Sequence, residues 1–104
     1  EMVGDELWGN VYPLYQRSYS ECIVRMNAST GHVLGWIDAH GLFSRQGPHV
    51  RASPWEYVLN GIAYHSQSNR LYVTGKQWEH MYQVRLKPRP ELNELHILKV
   101  CRLG

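Results

Sequence analysis

Leu59-Asn60-Gly61-Ile62-Ala63-Tyr64, then His65-Ser66-Gln67-Ser68-Asn69, then Arg70-Leu71-Tyr72-Val73-Thr74-Gly75 is the stretch that decides the fold. Its two outer parts are short and rich in aliphatic and aromatic residues, and the part between them is polar and turn-forming. That is the composition of two antiparallel strands joined as a hairpin. His80-Met81-Tyr82-Gln83-Val84-Arg85-Leu86 follows with fair alternation as a third strand, and Leu95-His96-Ile97-Leu98-Lys99-Val100 reads as a fourth. Pro88 and Pro90 lie between these two and force an extended connection.

The same rhythm runs through the first half. Glu6-Leu7-Trp8-Gly9-Asn10-Val11-Tyr12 is a strand ending at Pro13, which cannot donate to a ladder, and Tyr15 to Glu21 reads as a long surface loop. Cys22-Ile23-Val24-Arg25-Met26 and His32-Val33-Leu34-Gly35-Trp36-Ile37-Asp38 then flank a turn through Asn27-Ala28-Ser29-Thr30-Gly31. From His40 to Pro54 the residues Gly41, Gly47, Pro48 and Pro54 break any pattern. No segment carries the three-and-four spacing of a long amphipathic helix, so the chain reads as all-β. Residues 1–39 form one unit, 40–57 a connection and 58–104 a second unit. Units of roughly 40 to 50 residues with about four antiparallel strands are what β-propeller blades look like in sequence. The expectation is about two blades of four-stranded antiparallel meanders. Two blades do not close a ring that needs about four to eight, which marks the chain as a propeller fragment. A small β-sandwich is the competing fold.

Composition narrows the function classes. The formal charge of +2 on 104 residues is small and its basic residues are scattered, which argues against a nucleic-acid partner. No apolar run reaches the roughly 20 residues of a bilayer span. The two cysteines, Cys22 and Cys101, have no metal-ligand spacing and are expected to be free and buried. His32, His40, His49, His65, His80 and His96 invite a zinc hypothesis, but no His-x-x-x-His or Cys-His cluster occurs, so no metal site is assigned. Asn27-Ala28-Ser29 matches the N-glycosylation acceptor pattern on a predicted turn, a weak signal. Four Trp and seven Tyr against one Phe supply side chains with an apolar body and a polar tip, suited to sheet packing and to pocket walls alike.

Several runs resemble one family. Glu6 to Tyr12 is similar to E-[IV]-W-A-N-V-[WY], Cys22 to Met26 to C-I-A-R-I, and Gly35-Trp36-Ile37-Asp38 with Gly41-Leu42 to G-W-I-D followed by G-L. Val58 to Tyr64, then Arg70 to Lys76 with Trp78, resemble V-L-N-G-I-A-Y and R-L-[FY]-V-T-G-K-x-W. These are motifs of the plant- and bacterial-type glutaminyl-peptide cyclotransferases, β-propeller enzymes that close N-terminal glutamine into pyroglutamate. The resemblance covers most of the chain up to Leu86 and departs from the family in three places. His65 stands where the family usually has Asp, Gly9 where it usually has Ala, and Pro13 to Ser20 is an insertion at the expected pocket rim.

What the resemblance implies can be stated residue by residue. Lys76 matches the lysine the family places in its active site, where an ammonium can tune a carboxyl group or donate to an oxyanion; otherwise it is a solvated lysine at a strand end. Tyr12 falls where plant members carry a pocket Trp and is the candidate substrate-binding residue, its alternative being a half-buried strand tyrosine. Trp8, Trp36 and Trp78 are expected to pack between blades. Asn60 and Gly61 read as a sharp entry to an inner strand. The family's proton-shuttling glutamate lies in an earlier blade, and no glutamate here occupies its motif, so the isolated segment is expected to be inactive. The implied partners are peptides and proteins with N-terminal glutamine, with no cofactor needed for the chemistry and room for a structural divalent ion in the propeller channel. A secretory, extracytoplasmic location is implied as well. Two other readings stay open. One is a six-bladed lactonase or strictosidine-synthase-like propeller, in which Asn60 would bind a divalent ion, although Thr74-Gly75-Lys76 with Trp78 speaks against it. The other is a non-catalytic propeller segment acting in protein interaction.

Overall fold

In the computed structural model, which describes residues 1–13 and 17–102, two antiparallel sheets pack against each other. The first holds β1 (Met2–Val3), β2 (Glu6–Asn10), β3 (Cys22–Asn27) and β4 (Val33–Asp38), each paired with the next in chain order. The second holds β5 (Leu59–His65), β6 (Arg70–Gly75) and β7 (Tyr82–Val84), again in chain order. Both are meanders, and the β5–β6 hairpin forms as its composition predicts, with Tyr64 opposite Leu71 and Ile62 opposite Val73.

The connections show why these residues turn. Asn27 closes β3 by accepting from the backbone N–H of Ser29 and of Thr30 at 2.9 and 3.0 Å, an Asx-type turn. His65 does comparable work after β5, its Nδ1 lying 2.6 Å from Ser68 Oγ and 3.3 Å from the Ser68 backbone nitrogen. The imidazole thus anchors the turn through side-chain contacts to Ser68.

One core joins the sheets. Trp8 and Ile23 from the first meet Leu59, Leu71 and Val73 from the second, with Ile37, Tyr64, Trp78 and Tyr82 packed around them. These residues alternate along their strands, as one-sided burial of a pleated sheet requires. Trp8 and Trp78 therefore pack where the sheets meet, whereas Trp36 is half-buried outside this cluster.

The first sheet has the four strands expected of a blade, the fourth supplied by Met2–Val3, where the sequence reading placed none. Two expectations need correction. The fourth strand expected over Leu95 to Val100 is instead a helix, α2 (Glu94–Val100), which leaves the second sheet with three. The reason is local. Asn93 caps this helix by accepting from the His96 N–H at 2.9 Å, Glu94 sits in the first turn and Lys99 in the last, and Ile97, Val100 and Cys101 turn inward at helical spacing. Second, the cysteines are not free: Cys22 and Cys101 form a disulfide with Cα atoms 5.4 Å apart, both residues buried. Their separation of 79 residues hides the pairing from a linear reading.

The connection between the sheets carries more order than its Gly and Pro content suggests. It holds a 3₁₀ turn at Phe43–Arg45 and a single helical turn, α1 (Pro48–Arg51), with Pro48 in the first turn, where its missing N–H is harmless. Gln46, only 3% exposed, ties this connection to the second sheet. Its Nε2 donates to the Leu42 carbonyl and to Tyr82 Oη at 3.1 and 2.7 Å, and its Oε1 accepts from the Glu79 N–H at 3.0 Å.

Candidate active site

Lys76 follows β6 directly, with its side chain exposed. Its backbone N–H donates to the Val58 carbonyl at 2.8 Å, extending the β5–β6 ladder by one bond. The chain then reverses: the Trp78 N–H donates to the Gly75 carbonyl at 3.1 Å, and Gln77 takes a left-handed φ of 58°. The Trp78 indole folds back over Gly75 and donates from Nε1 to the Tyr57 carbonyl at 2.8 Å. A Cβ at Gly75 would stand 2.2 Å from Trp78 Cε2, so only glycine admits this ring. The G-K-x-W spacing is thereby explained. Glycine makes room, tryptophan locks the reversal, and the lysine between them is presented at the end of the strand.

The partner strand repeats the logic. Leu59 and Gly61 straddle an irregularity in the ladder, with Asn60 exposed, and a Cβ on Gly61 would lie 2.8 Å from Thr74 Cγ2. Asn60 and Gly61 form the sharp, closely approached strand entry that the sequence predicts.

Tyr12 lies just beyond β2 and is 59% exposed, not half-buried. With Val11, Pro13, Arg17, Ser18, Tyr19, Trp55 and Val58 it lines a cavity of about 270 Å³. Val58 links this cavity to Lys76, since it lines the first and its carbonyl receives the backbone N–H of the second. The two residues singled out from the sequence thus belong to the same end of the molecule. A larger groove of about 980 Å³, lined by Ser68, Asn69, Arg70 and Arg85 among others, lies at the turn end of the β5–β6 hairpin and includes neither.

Two features of the first sheet were not anticipated. Glu6, Trp8 and Arg25 form one network: Arg25 donates to both Glu6 carboxylate oxygens at 2.8 and 2.9 Å, and the Trp8 indole donates to Glu6 Oε1 at 2.9 Å. Trp8 and Arg25 are cross-strand partners, and Glu6 lies two residues from Trp8 on the same face. The Arg25 hydrogen bond and then that of Trp8 hold the Glu6 carboxyl below its usual range, while the Arg25 guanidinium is raised in turn by Glu6. The signal lay in the E-x-W and C-I-x-R motifs, whose charges are complementary only once β2 and β3 pair. The second feature is Asn10, whose Nδ2 is buried with no hydrogen-bond partner among the described residues.

The remaining sequence candidates fall elsewhere. Asn27 of the glycosylation pattern is half-buried, with its Oδ1 engaged in the turn. No three His, Cys, Asp or Glu side chains gather into a metal-ligand set among the described residues. Of the Pro13 to Ser20 insertion, residues 14–16 lie outside the described residues. No described helix is long and apolar enough to cross a membrane.

The sequence model of the family described as glutamine cyclotransferase matches residues 1–86. The chain belongs to that family. It is 36% identical over 103 residues to glutaminyl-peptide cyclotransferase of Arabidopsis thaliana, a match that spans 97% of this chain and 29% of the relative. The crystal structure of glutaminyl cyclase from Myxococcus xanthus superposes with a TM-score of 0.65 at 31% identity, over 83% of this chain and 34% of that one. The chain therefore spans about a third of the length of these cyclotransferase relatives. Its two meanders correspond to part of a larger propeller, and the segment from Lys87 onward, with α2 and Cys101, lies beyond the family match.

Proposed function

We propose that this chain forms the lysine-bearing side of an active site that converts N-terminal glutamine of peptides and proteins to pyroglutamate. The observation that carries the proposal is the turn Gly75 to Trp78, which holds Lys76 exposed beside the segment that lines the Tyr12 cavity. In the reaction the α-amine attacks the γ-carboxamide carbon, an oxyanion develops and collapses, the bond to the amide nitrogen breaks, and ammonia leaves. The proton lost by the amine is the one the leaving nitrogen gains. Both reacting groups sit in one substrate, so the protein must hold the near-attack conformer, stabilise the oxyanion and relay that proton. Lys76 serves the oxyanion or the charge of the relaying carboxyl, and Tyr12 offers an aromatic face to the substrate. The carboxyl itself belongs to another part of the protein.

An oxidising, extracytoplasmic compartment is part of the same proposal. It is supported by the buried Cys22–Cys101 bond, because such bridges persist where thiols are not kept reduced.

The test is ammonia release from a Gln-initiated peptide. The full-length protein should release it well above the spontaneous rate, and should leave the Nα-acetylated peptide untouched because its nucleophile is blocked. The isolated 104-residue chain should not exceed the spontaneous rate. No release by the full-length protein refutes the proposal, and enzyme-like release by the isolated chain refutes the assignment of the proton relay to another part of the protein.

A further inference from the structure

The cavity beside Tyr12 carries a charge that a neutral glutamine side chain does not call for. Arg17 places its guanidinium 5.5 Å from the centre of the Trp55 ring, a cation–π distance, and both residues are exposed. Among the described residues no acidic one lines the cavity and Arg17 makes no ion pair. A guanidinium held over an aromatic ring keeps N–H donors that the ring does not use, and these can receive a carboxylate.

The rim is also held in place. Tyr19 packs against Phe43 at 5.9 Å and lies under the Arg102 guanidinium at 4.3 Å. Ser20 is buried, and its Oγ accepts from the Cys22 N–H at 3.2 Å. At about 270 Å³ the cavity falls below the roughly 300 Å³ at which small-molecule pockets begin, which suits one side chain and not a whole peptide. Arg17 belongs to the Pro13 to Ser20 stretch that the sequence reading set apart as an insertion at the pocket rim.

From these observations, and resting on the cyclotransferase reading above, we infer that the Tyr12–Arg17–Trp55 cavity receives the side chain of the residue after the N-terminal glutamine and selects aspartate or glutamate there. Glutamine in the reaction centre near Lys76 leaves its successor to reach the neighbouring cavity, where Arg17 meets the carboxylate and Tyr12 and Trp55 flank its methylenes.

Ammonia release by the full-length protein from peptides that differ only at the second position, as Glu, Ala or Lys, tests this. A partly exposed arginine–carboxylate contact should give kcat/KM in the order Glu, Ala, Lys, with a spread of about tenfold between the extremes. Molar salt should shrink that spread, since the contact lies near solvent. Arg17→Glu should invert the order, a gain for the Lys peptide that a misfolded protein does not produce. Arg70→Ala, at the far end of the hairpin, should keep the wild-type order. Equal kcat/KM for the Glu and Lys peptides in an active enzyme, or an unchanged order in Arg17→Glu, would overturn this inference alone. No ammonia from any peptide overturns the cyclotransferase reading and this inference with it.

Discussion

Lys76 and Gly75 are adjacent residues with opposite tolerances, and the contrast separates function from folding. Lys76 is exposed and its side chain makes no hydrogen bond or ion pair among the described residues, so Lys76→Ala should change stability by less than about 0.5 kcal/mol. If the ammonium serves developing negative charge, the same substitution should lower kcat of the full-length protein on the order of a hundredfold. Lys76→Arg should recover only part of it, because a planar guanidinium does not reproduce a compact donor. Near-wild-type turnover in Lys76→Ala ends the case for this residue. Gly75→Ala should instead unfold more readily, by about 2 kcal/mol, because the added methyl meets a rigid indole anchored on Tyr57. Gly9 marks the third possibility. A Cβ there would meet Val24 Cγ1 and Met26 Cε at 3.7 and 3.8 Å, ordinary contacts, so Gly9→Ala should stabilise the strand by about 0.5 to 1 kcal/mol. Denaturant midpoints of the two glycine variants check both signs, and a destabilised Gly9→Ala would mean that the strand is more crowded than its contacts indicate.

At the level of elements, what could be read in advance depended on how local the determining interactions are. The β5–β6 hairpin was legible because its strands, its turn and its steric pair Gly61–Thr74 all lie within one short stretch of chain. Helix α2 was not, because seven residues are too few to display a period and Leu95 remains 75% exposed, so no apolar stripe announces it. Only the Asn93 cap and Glu94 marked it, and these are single-residue signals. Lys76 and Tyr12 are nominated by motif resemblance alone, whereas Arg17, Trp55 and Glu6 acquire partners only when distant segments meet. Glu6 carries a pH prediction. Its carboxyl titrates below the usual range in the folded state, so the stabilisation it provides is fully present above the unfolded value of about 4.3 and is lost as pH falls through the depressed folded value. The gap in urea midpoint between wild type and Glu6→Gln should therefore be clear at pH 6, worth about 1 kcal/mol, and should close towards pH 3. A gap that stays constant over that range would mean that the Arg25 pair contributes nothing through ionisation.

Across the whole molecule, the two sheets share one core, yet the chain from Lys87 onward adds little apolar burial to it: Leu95 and Leu98 are exposed, and Ile97 and Val100 are only half-buried. What fastens α2 is the Cys22–Cys101 bond, which ties the helix C-cap to the first residue of β3, next to Ser20 and the cavity rim. A crosslink spanning 79 positions removes much of the unfolded chain's freedom, and loops of that size are credited with about 4 kcal/mol in the chain-entropy view. Cys22→Ala/Cys101→Ala should lower the unfolding free energy of the chain by roughly 2 to 4 kcal/mol. Dithiothreitol should shift the wild-type denaturant midpoint the same way and leave the double variant unmoved. Hydrogen exchange adds the spatial part of the argument. With the bond gone, amides of α2 should lose protection well before those of β5 and β6, which are held by the shared core, because the helix has no comparable packing of its own. Equal denaturant midpoints with and without reductant, or α2 amides as protected as those of β6 in the double variant, would show that packing holds the helix and that the bridge is incidental to it.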